Sequence, residues 1–361
     1  MKRQGEVSWE VERMNLTQEP FGISKDGKKV EKFTLSNSKG MTATVMTLGG
    51  ILVSFKMPDR GGVVQEITLG FDTLEEYLAG HPYFGAIIGR FANRVAQGRF
   101  HLDGVTYTLV PNEKSTNHLH GGNMGFDKVV WQAEVFQDGA SAGVKLSYLS
   151  PDGEEGYPGT LKVAVAYRLS EDNELKVEYW AETDKATPVN LTNHTYWNLA
   201  GAGSGSILGH ELLLNCPKYL PVDDNLIPTG EIRPVQGTPM DFTSSKPIGL
   251  HMDQVPGGYD HCFVMDPLVR GLKPIARLHE PGSGRTMEIS TTKPAVQFYT
   301  GNFLNKIRGA GGTLFDKHGA LCLETEFFPD AVNQSAFPSA ILRPGETYHH
   351  VTVHRFFTDS Y

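Results

Sequence analysis

The chain has 361 residues, 39% of them hydrophobic and 20% charged, enough apolar material for a large buried core and too much for a disordered chain. A net charge of −8 without any basic stripe excludes a nucleic-acid partner. Cys216, Cys262 and Cys322 form no C-x-x-C pair. They read as free thiols of a reducing compartment, not as a disulfide framework or a zinc site.

The charged N-terminal stretch (residues 1–16) lacks the apolar run of a signal peptide, and no segment approaches 18 consecutive apolar residues. A cytoplasmic location without membrane contact is the expectation. From residue 30 the pattern is strand after strand, at 30–37, 41–48, 51–57 and 64–70, with turn residues between them. Such spacing predicts a sandwich or barrel. One short helix is expected, capped by Asp72 with Glu75 as capping-box partner and stopped by Gly80.

Residues 83–100 contain Arg90, Asn93 and Arg94 among apolar neighbours. Guanidinium groups near a core are costly unless paired or turned toward a polar cleft. At least one of the two fits a structural arginine paired with carboxylates. Residues 100–109 form a hairpin around Asp103-Gly104. His118 and His120 follow, expected on one strand face. With no third ligand nearby, they do not make a metal site. Strands are expected at 129–135, 144–150, 160–169 and 174–182.

Residues 190–199 read NLTNHTYWNL. As an extended strand, this segment places Asn190, Thr192, His194, Tyr196 and Asn198 on one face. That polar row suits a polyhydroxylated ligand, and His194 at its centre has an ordinary pKa near neutrality. Further on, Asp260 stands at a glycine-marked strand entry, and Gln297 shares a face with Tyr299. Glu324 and Glu326 share a face with Cys322 inside an apolar strand. Burial there would raise a carboxyl pKa toward that of a general base.

Several of these stretches, in order, resemble the aldose 1-epimerase family: residues 88–95 (IGRFANRV), 119–122 (LHGG), 150–158 (SPDGEEGYP), 190–199, 296–302 (VQFYTGN), 323–325 (LET) and 329–333 (PDAVN). The similarity spans residues 30 to 357. It implies an all-β chain of one domain, a large antiparallel β-sandwich of the galactose mutarotase-like kind with only short helices and a short N-terminal extension over residues 1–20. It also implies interconversion of the α and β anomers of aldohexoses by a monomer, without metal or other cofactor. Carried over residue by residue, Glu324 is the base on O1 and His194 the acid on the ring oxygen O5. Asn93, Arg94, His120, Tyr196, Asp260 and Gln297 hold the sugar.

The family pattern after the base is Glu-Thr-Gln or Glu-Ser-Gln, where this chain has Glu324-Thr325-Glu326. Two carboxyls about 7 Å apart on one face would raise each other's pKa if both enter the cleft. Alternatively, Glu326 meets solvent or an arginine. Three rival readings remain at this point: a glycoside hydrolase with paired carboxylates, a sugar-binding module without catalysis, and a hexose-6-phosphate epimerase.

Overall fold

The computed structural model describes residues 14–114, 116–266 and 271–359. Most of the charged N-terminal stretch, residues 1–13, lies outside the described residues. Among the described residues, three antiparallel sheets of five or more strands contribute to one core. The longest has nine strands, in the spatial order Gln132–Gln137, Ser141–Ser150, Leu161–Ser170, Glu174–Thr183, Tyr348–Thr358, Arg285–Thr291, Lys273–His279, Glu211–Leu214 and Lys246–Pro247. A five-stranded sheet runs in sequence order from Asn15–Ile23 to Val64–Glu66. The other five-stranded sheet carries the site, in the order Arg233–Pro234, Lys218–Tyr219, Asp260–Val264, Ala295–Tyr299 and Cys322–Glu326.

Alternation along each strand explains the layering. Phe33 and Phe55 of the first sheet, Val165 and Val177 of the long sheet, and Val296, Phe298 and Leu323 of the site sheet all belong to one buried cluster. The opposite face of the site sheet presents Gln297 beside Glu324, Tyr299 beside Cys322, and Ala295 beside Glu326. The same strand alternation thus sends Val296, Phe298 and Leu323 into the core and Gln297, Tyr299 and Glu324 toward the cleft.

The hairpin forms as expected, Arg99–Leu102 against Val105–Thr108, with Asp103 and Gly104 both at positive φ. The short helix is Leu74–Ala79, but its cap lies one residue further on. Thr73 accepts from the Glu76 backbone, and the Glu76 carboxylate accepts from the Thr73 backbone N–H. Asp72 instead accepts from the Gly311 N–H at 2.6 Å. The Gly311 contact occupies the Asp72 carboxylate, and the cap falls to Thr73. Strand Asn15–Ile23 pairs with Lys29–Ser36, extending the first sheet beyond the predicted run.

The segment 190–199 is not one regular strand. Only Thr192–Asn193 pairs as a ladder, with Ile87–Ile88. Asn190 bridges to Phe91, and Trp197 bridges to both Thr68 and Leu321. The segment threads between sheets, so most of its polar row ties down neighbouring backbone. Asn190 donates to the carbonyls of Ala92 and Phe327, Thr192 to that of Thr325, and Asn198 to those of Gly205 and Gly319. Buried amides in irregular backbone supply the partners that a ladder would have provided. His194 and Tyr196 alone of that row line the cleft.

Candidate active site

A cleft with about 130 Å³ of free space is lined by Asn93, Arg94, His120, His194, Tyr196, Asp260, Gln297 and Glu324, joined by Tyr83, Tyr299 and Phe303. All eight sequence-derived site residues converge here. A larger groove, about 880 Å³, crosses the long sheet near Trp180 and Lys145. It contains none of these eight residues.

Glu324 is 3% exposed, and its Oε1 lies 3.6 Å from His194 Nε2. Its Oε2 has no protein partner. Burial, then the neighbouring Glu326 and Asp260, push the Glu324 carboxyl well above the ordinary range, with Arg94 opposing. His194 is held flat between two rings, Tyr83 at 5.7 Å and Tyr196 at 5.1 Å. Burial pulls its pKa down to about 3. The other ring nitrogen, Nδ1, is 3.5 Å from Cys322 Sγ. That contact leaves Nε2 for the cleft.

The loops carrying the remaining groups adopt conformations that no periodicity forecasts. Tyr83, Asn93 and His120 all have positive φ, at 62°, 65° and 51°, a region costing about 1–3 kcal/mol for residues other than glycine. Gly121 makes the His120 turn possible. A Cβ there would lie 1.8 Å from the Gly89 carbonyl oxygen. Asn93 and His120 are locked together, because the Asn93 N–H donates to His120 Nδ1 and the His120 N–H donates to the Asn93 carbonyl, each at 3.1 Å. An accepting Nδ1 requires the proton of the neutral ring on Nε2. His120 is thus a hydrogen-bond donor toward the cleft, and burial keeps it uncharged.

Arg94 is gripped by Glu113, with Nε 3.0 Å from both carboxylate oxygens and Nη2 2.9 Å from Oε1. Its Nη1 reaches to 4.0 Å from Asp260 Oδ2. Asp260 also accepts from Gln297 Nε2 at 2.7 Å. Gln297 Oε1 is buried without a partner, as expected of a group awaiting a ligand hydroxyl.

Arg94 lines the cleft and Arg90 does not, but Arg90 is not held by carboxylates. It donates to Ser150 Oγ and to the carbonyls of Ser150, Pro151, Pro158 and Gly159. His118 does not share a face with His120; its ring bridges the Val110 carbonyl and the Tyr157 hydroxyl. Glu326 is fully buried and accepts from Asn93 Nδ2 at 3.1 Å, so it meets neither solvent nor the guanidinium directly. Glu113 and Tyr83 escaped the sequence reading, since neither lies on an alternating strand face that marks it.

His194, Cys322 and Glu324 bring donor atoms within 4.8 Å of one another. Burial keeps the Cys322 thiol protonated and raises the Glu324 carboxyl, the opposite of what metal ligation favours. In this cluster His194 meets a carboxyl oxygen of Glu324 through Nε2 and the Cys322 thiol through Nδ1.

A model of the aldose 1-epimerase family matches residues 31–355. The chain belongs to the aldose 1-epimerase family. Among its relatives, the galactose mutarotase of Homo sapiens is 47% identical over 348 residues, covering 95% of this chain and 98% of the human one. The galactose mutarotase of Rattus norvegicus is 46% identical, covering 95% and 99%. The aldose 1-epimerase of Escherichia coli K12 is 38% identical, covering 95% and 100%. Among solved structures, the galactose 1-epimerase of Lactobacillus acidophilus superimposes with a TM-score of 0.83 at 28% identity, covering 96% of this chain and 99% of that one. The fold is that of this epimerase family, an all-β sandwich.

Proposed function

We propose that this epimerase interconverts the α and β anomers of an aldohexose, galactose or glucose, in the cleft between Glu324 and His194. The observation that carries the reading is the 3.6 Å approach of Glu324 Oε1 to His194 Nε2, at the end of a cleft otherwise furnished with hydroxyl partners. Glu324 takes the proton from the O1 hydroxyl while His194 gives one to the ring oxygen O5. The C1–O5 bond breaks, leaving an aldehyde at C1. Rotation about C1–C2 presents the other carbonyl face. Reclosure then returns one proton to Glu324's substrate oxygen and the other to His194.

The pair needs one proton between its two members, and a turnover neither consumes nor releases one. Burial of both groups favours that proton on Glu324 in the empty cleft. Sugar hydroxyls donating to Glu324 stabilise its carboxylate and transfer the proton to His194 Nε2. Each partner is worth roughly 10²–10⁴-fold in rate. Arg94 and the Nε2–H of His120 stabilise charge growing on oxygen, while Asp260 and Gln297 select hydroxyl orientation. Neither anomer carries charge and no redox change occurs, so the chemistry calls for no metal or nicotinamide.

All proposed site residues come from one chain, which supports action as a monomer. No helix among the described residues is long and apolar enough to cross a membrane. The buried free thiols Cys216, Cys262 and Cys322 support the reducing environment of a cytoplasm. An anomeric exchange rate of galactose left unchanged by the chain would overturn the catalytic reading.

A further inference from the structure

One strand meets both edges of the His194 ring. Cys322 and Glu324 stand two residues apart in Cys322–Glu326 and share a face, about 7 Å apart along the strand. The imidazole lies between them, with Glu324 Oε1 3.6 Å from Nε2 and Cys322 Sγ 3.5 Å from Nδ1. All three side chains are buried, Cys322 completely. Stacking on Tyr83 and Tyr196 sets the plane of the ring, so the groups at its edge decide which nitrogen carries the proton of the neutral form. Burial, with Glu324 and Asp260 adding to it, pushes the Cys322 thiol well above its ordinary range. It therefore stays neutral, a weak donor and a weak acceptor.

We propose that Cys322 is a positioning residue for the epimerase reaction: its sulfur accepts a hydrogen bond from the Nδ1–H of His194, which leaves an unprotonated Nε2 facing Glu324. The inference rests on the reading of His194 as the acid on O5. A neutral ring becomes that acid only by first taking the proton of Glu324, and only a lone pair on Nε2 can receive it. A ring already protonated at Nε2 could give that proton to O5 only by becoming an imidazolate. With the sulfur at Nδ1, the proton passes from Glu324 to Nε2 and on to O5, while Nδ1–H stays on the ring throughout.

Two further contacts set the direction of this hydrogen bond. The carbonyl of His194 itself acts on the ring as an acceptor, and within one histidine that oxygen is reached from Nδ1, not from Nε2. A thiol donating to Nδ1 would set the nitrogen lone pair against it. The neighbouring ring shows the converse. At His120 a donor, the Asn93 N–H, meets Nδ1 at 3.1 Å, and the proton stays on Nε2. The cleft therefore holds two neutral imidazoles of opposite tautomer, a donor at His120 and a proton acceptor at His194.

The test is the ¹⁵N spectrum of His194 in the full chain at neutral pH, assigned by its loss in His194→Gln, together with steady-state kinetics. The parent should show Nδ1 protonated and Nε2 bare. Cys322→Ala should shift weight toward the Nε2–H form that a neutral histidine favours in water. Its kcat should fall about threefold to tenfold, the worth of one hydrogen bond, with KM within about twofold of the parent. Cys322→Ser, whose hydroxyl also accepts, should keep the parent tautomer and about half or more of the parent kcat. A merely structural cysteine would lower stability and leave the tautomer as it is. Should Cys322→Ala fail to fold, the parent spectrum and Cys322→Ser carry the test. A parent ring protonated at Nε2, a Cys322→Ala variant with parent tautomer or parent kcat, or a Cys322→Ser variant in the Nε2–H form overturns the inference. An inactive parent, or a His194→Gln variant with near-parent rate, overturns instead the reading of the site on which it rests.

Discussion

His194 Nε2 stands 3.6 Å from Glu324 Oε1, and the same burial displaces the two groups in opposite directions, the imidazole down and the carboxyl up. Desolvation penalises whichever form is charged, so burial favours the neutral acid and the neutral imidazole in the empty pair. A reaction that moves one proton onto a substrate oxygen and another off a second oxygen can use either arrangement of that proton.

The first prediction concerns that imidazole. With its folded pKa near 3 against an ordinary 6.5, His194 in the free enzyme stays uncharged between pH 8 and pH 5. Its ¹⁵N resonances should remain those of a neutral ring across this range. As pH falls below 6.5 the unfolded chain binds a proton at His194 that the folded chain refuses, so this group's contribution to stability declines toward acid. An imidazolium spectrum at pH 6 would contradict the account.

Glu113 fixes the Arg94 guanidinium through three contacts of 3.0 Å or less. Glu113→Gln removes the charge from those bonds, each charge-assisted contact being worth about 1.5–3 kcal/mol. A tenfold to hundredfold fall in kcat/KM is expected. Steady-state kinetics unchanged from the parent would show that Arg94 needs no such anchor.

Arg90 serves the fold, not the cleft. It is 2% exposed and satisfies four backbone carbonyls and Ser150 Oγ. Arg90→Met leaves those acceptors unpaired and should cost about 3 kcal/mol of stability. Denaturant melts would register the loss while activity per folded molecule stays near the parent value. A parent-like melt would refute the structural role.

Gly121 controls His120. At φ 88°, with the Gly89 carbonyl where its Cβ would stand, Gly121→Ala must displace the turn. Loss of activity together with a lowered melting temperature is expected. A fully active, equally stable alanine variant would contradict the geometry.

Much of the site was legible in the sequence because strand alternation is a local property. That Glu324 shares a face with Cys322, that Gln297 shares one with Tyr299, and the hairpin at Asp103-Gly104 follow from period-two patterning and turn chemistry, whereas the pairing of Glu324 with Gln297 is set by the sheet. The segment 190–199 shows where that reasoning stops. Its alternation is genuine, yet the chain bridges to three different elements instead of lying in one ladder. Asn190, Thr192 and Asn198 therefore spend their hydrogen bonds on backbone. The strand Tyr348–Thr358, central to the long sheet, carries two adjacent histidines and no clean alternation, and its burial is decided by Glu174–Thr183 and Arg285–Thr291 on either side. Glu113 acquires meaning only through a partner brought from a distant segment.

The most direct test is polarimetry of freshly dissolved α-D-galactose, with parent protein and with Glu324→Gln at equal concentration. The account predicts that the parent accelerates the approach to anomeric equilibrium, leaves the final rotation unchanged, and loses roughly 10²–10⁴-fold of its rate on Glu324→Gln. A parent that leaves the approach no faster than buffer, or a Glu324→Gln variant that retains the parent rate, would contradict it.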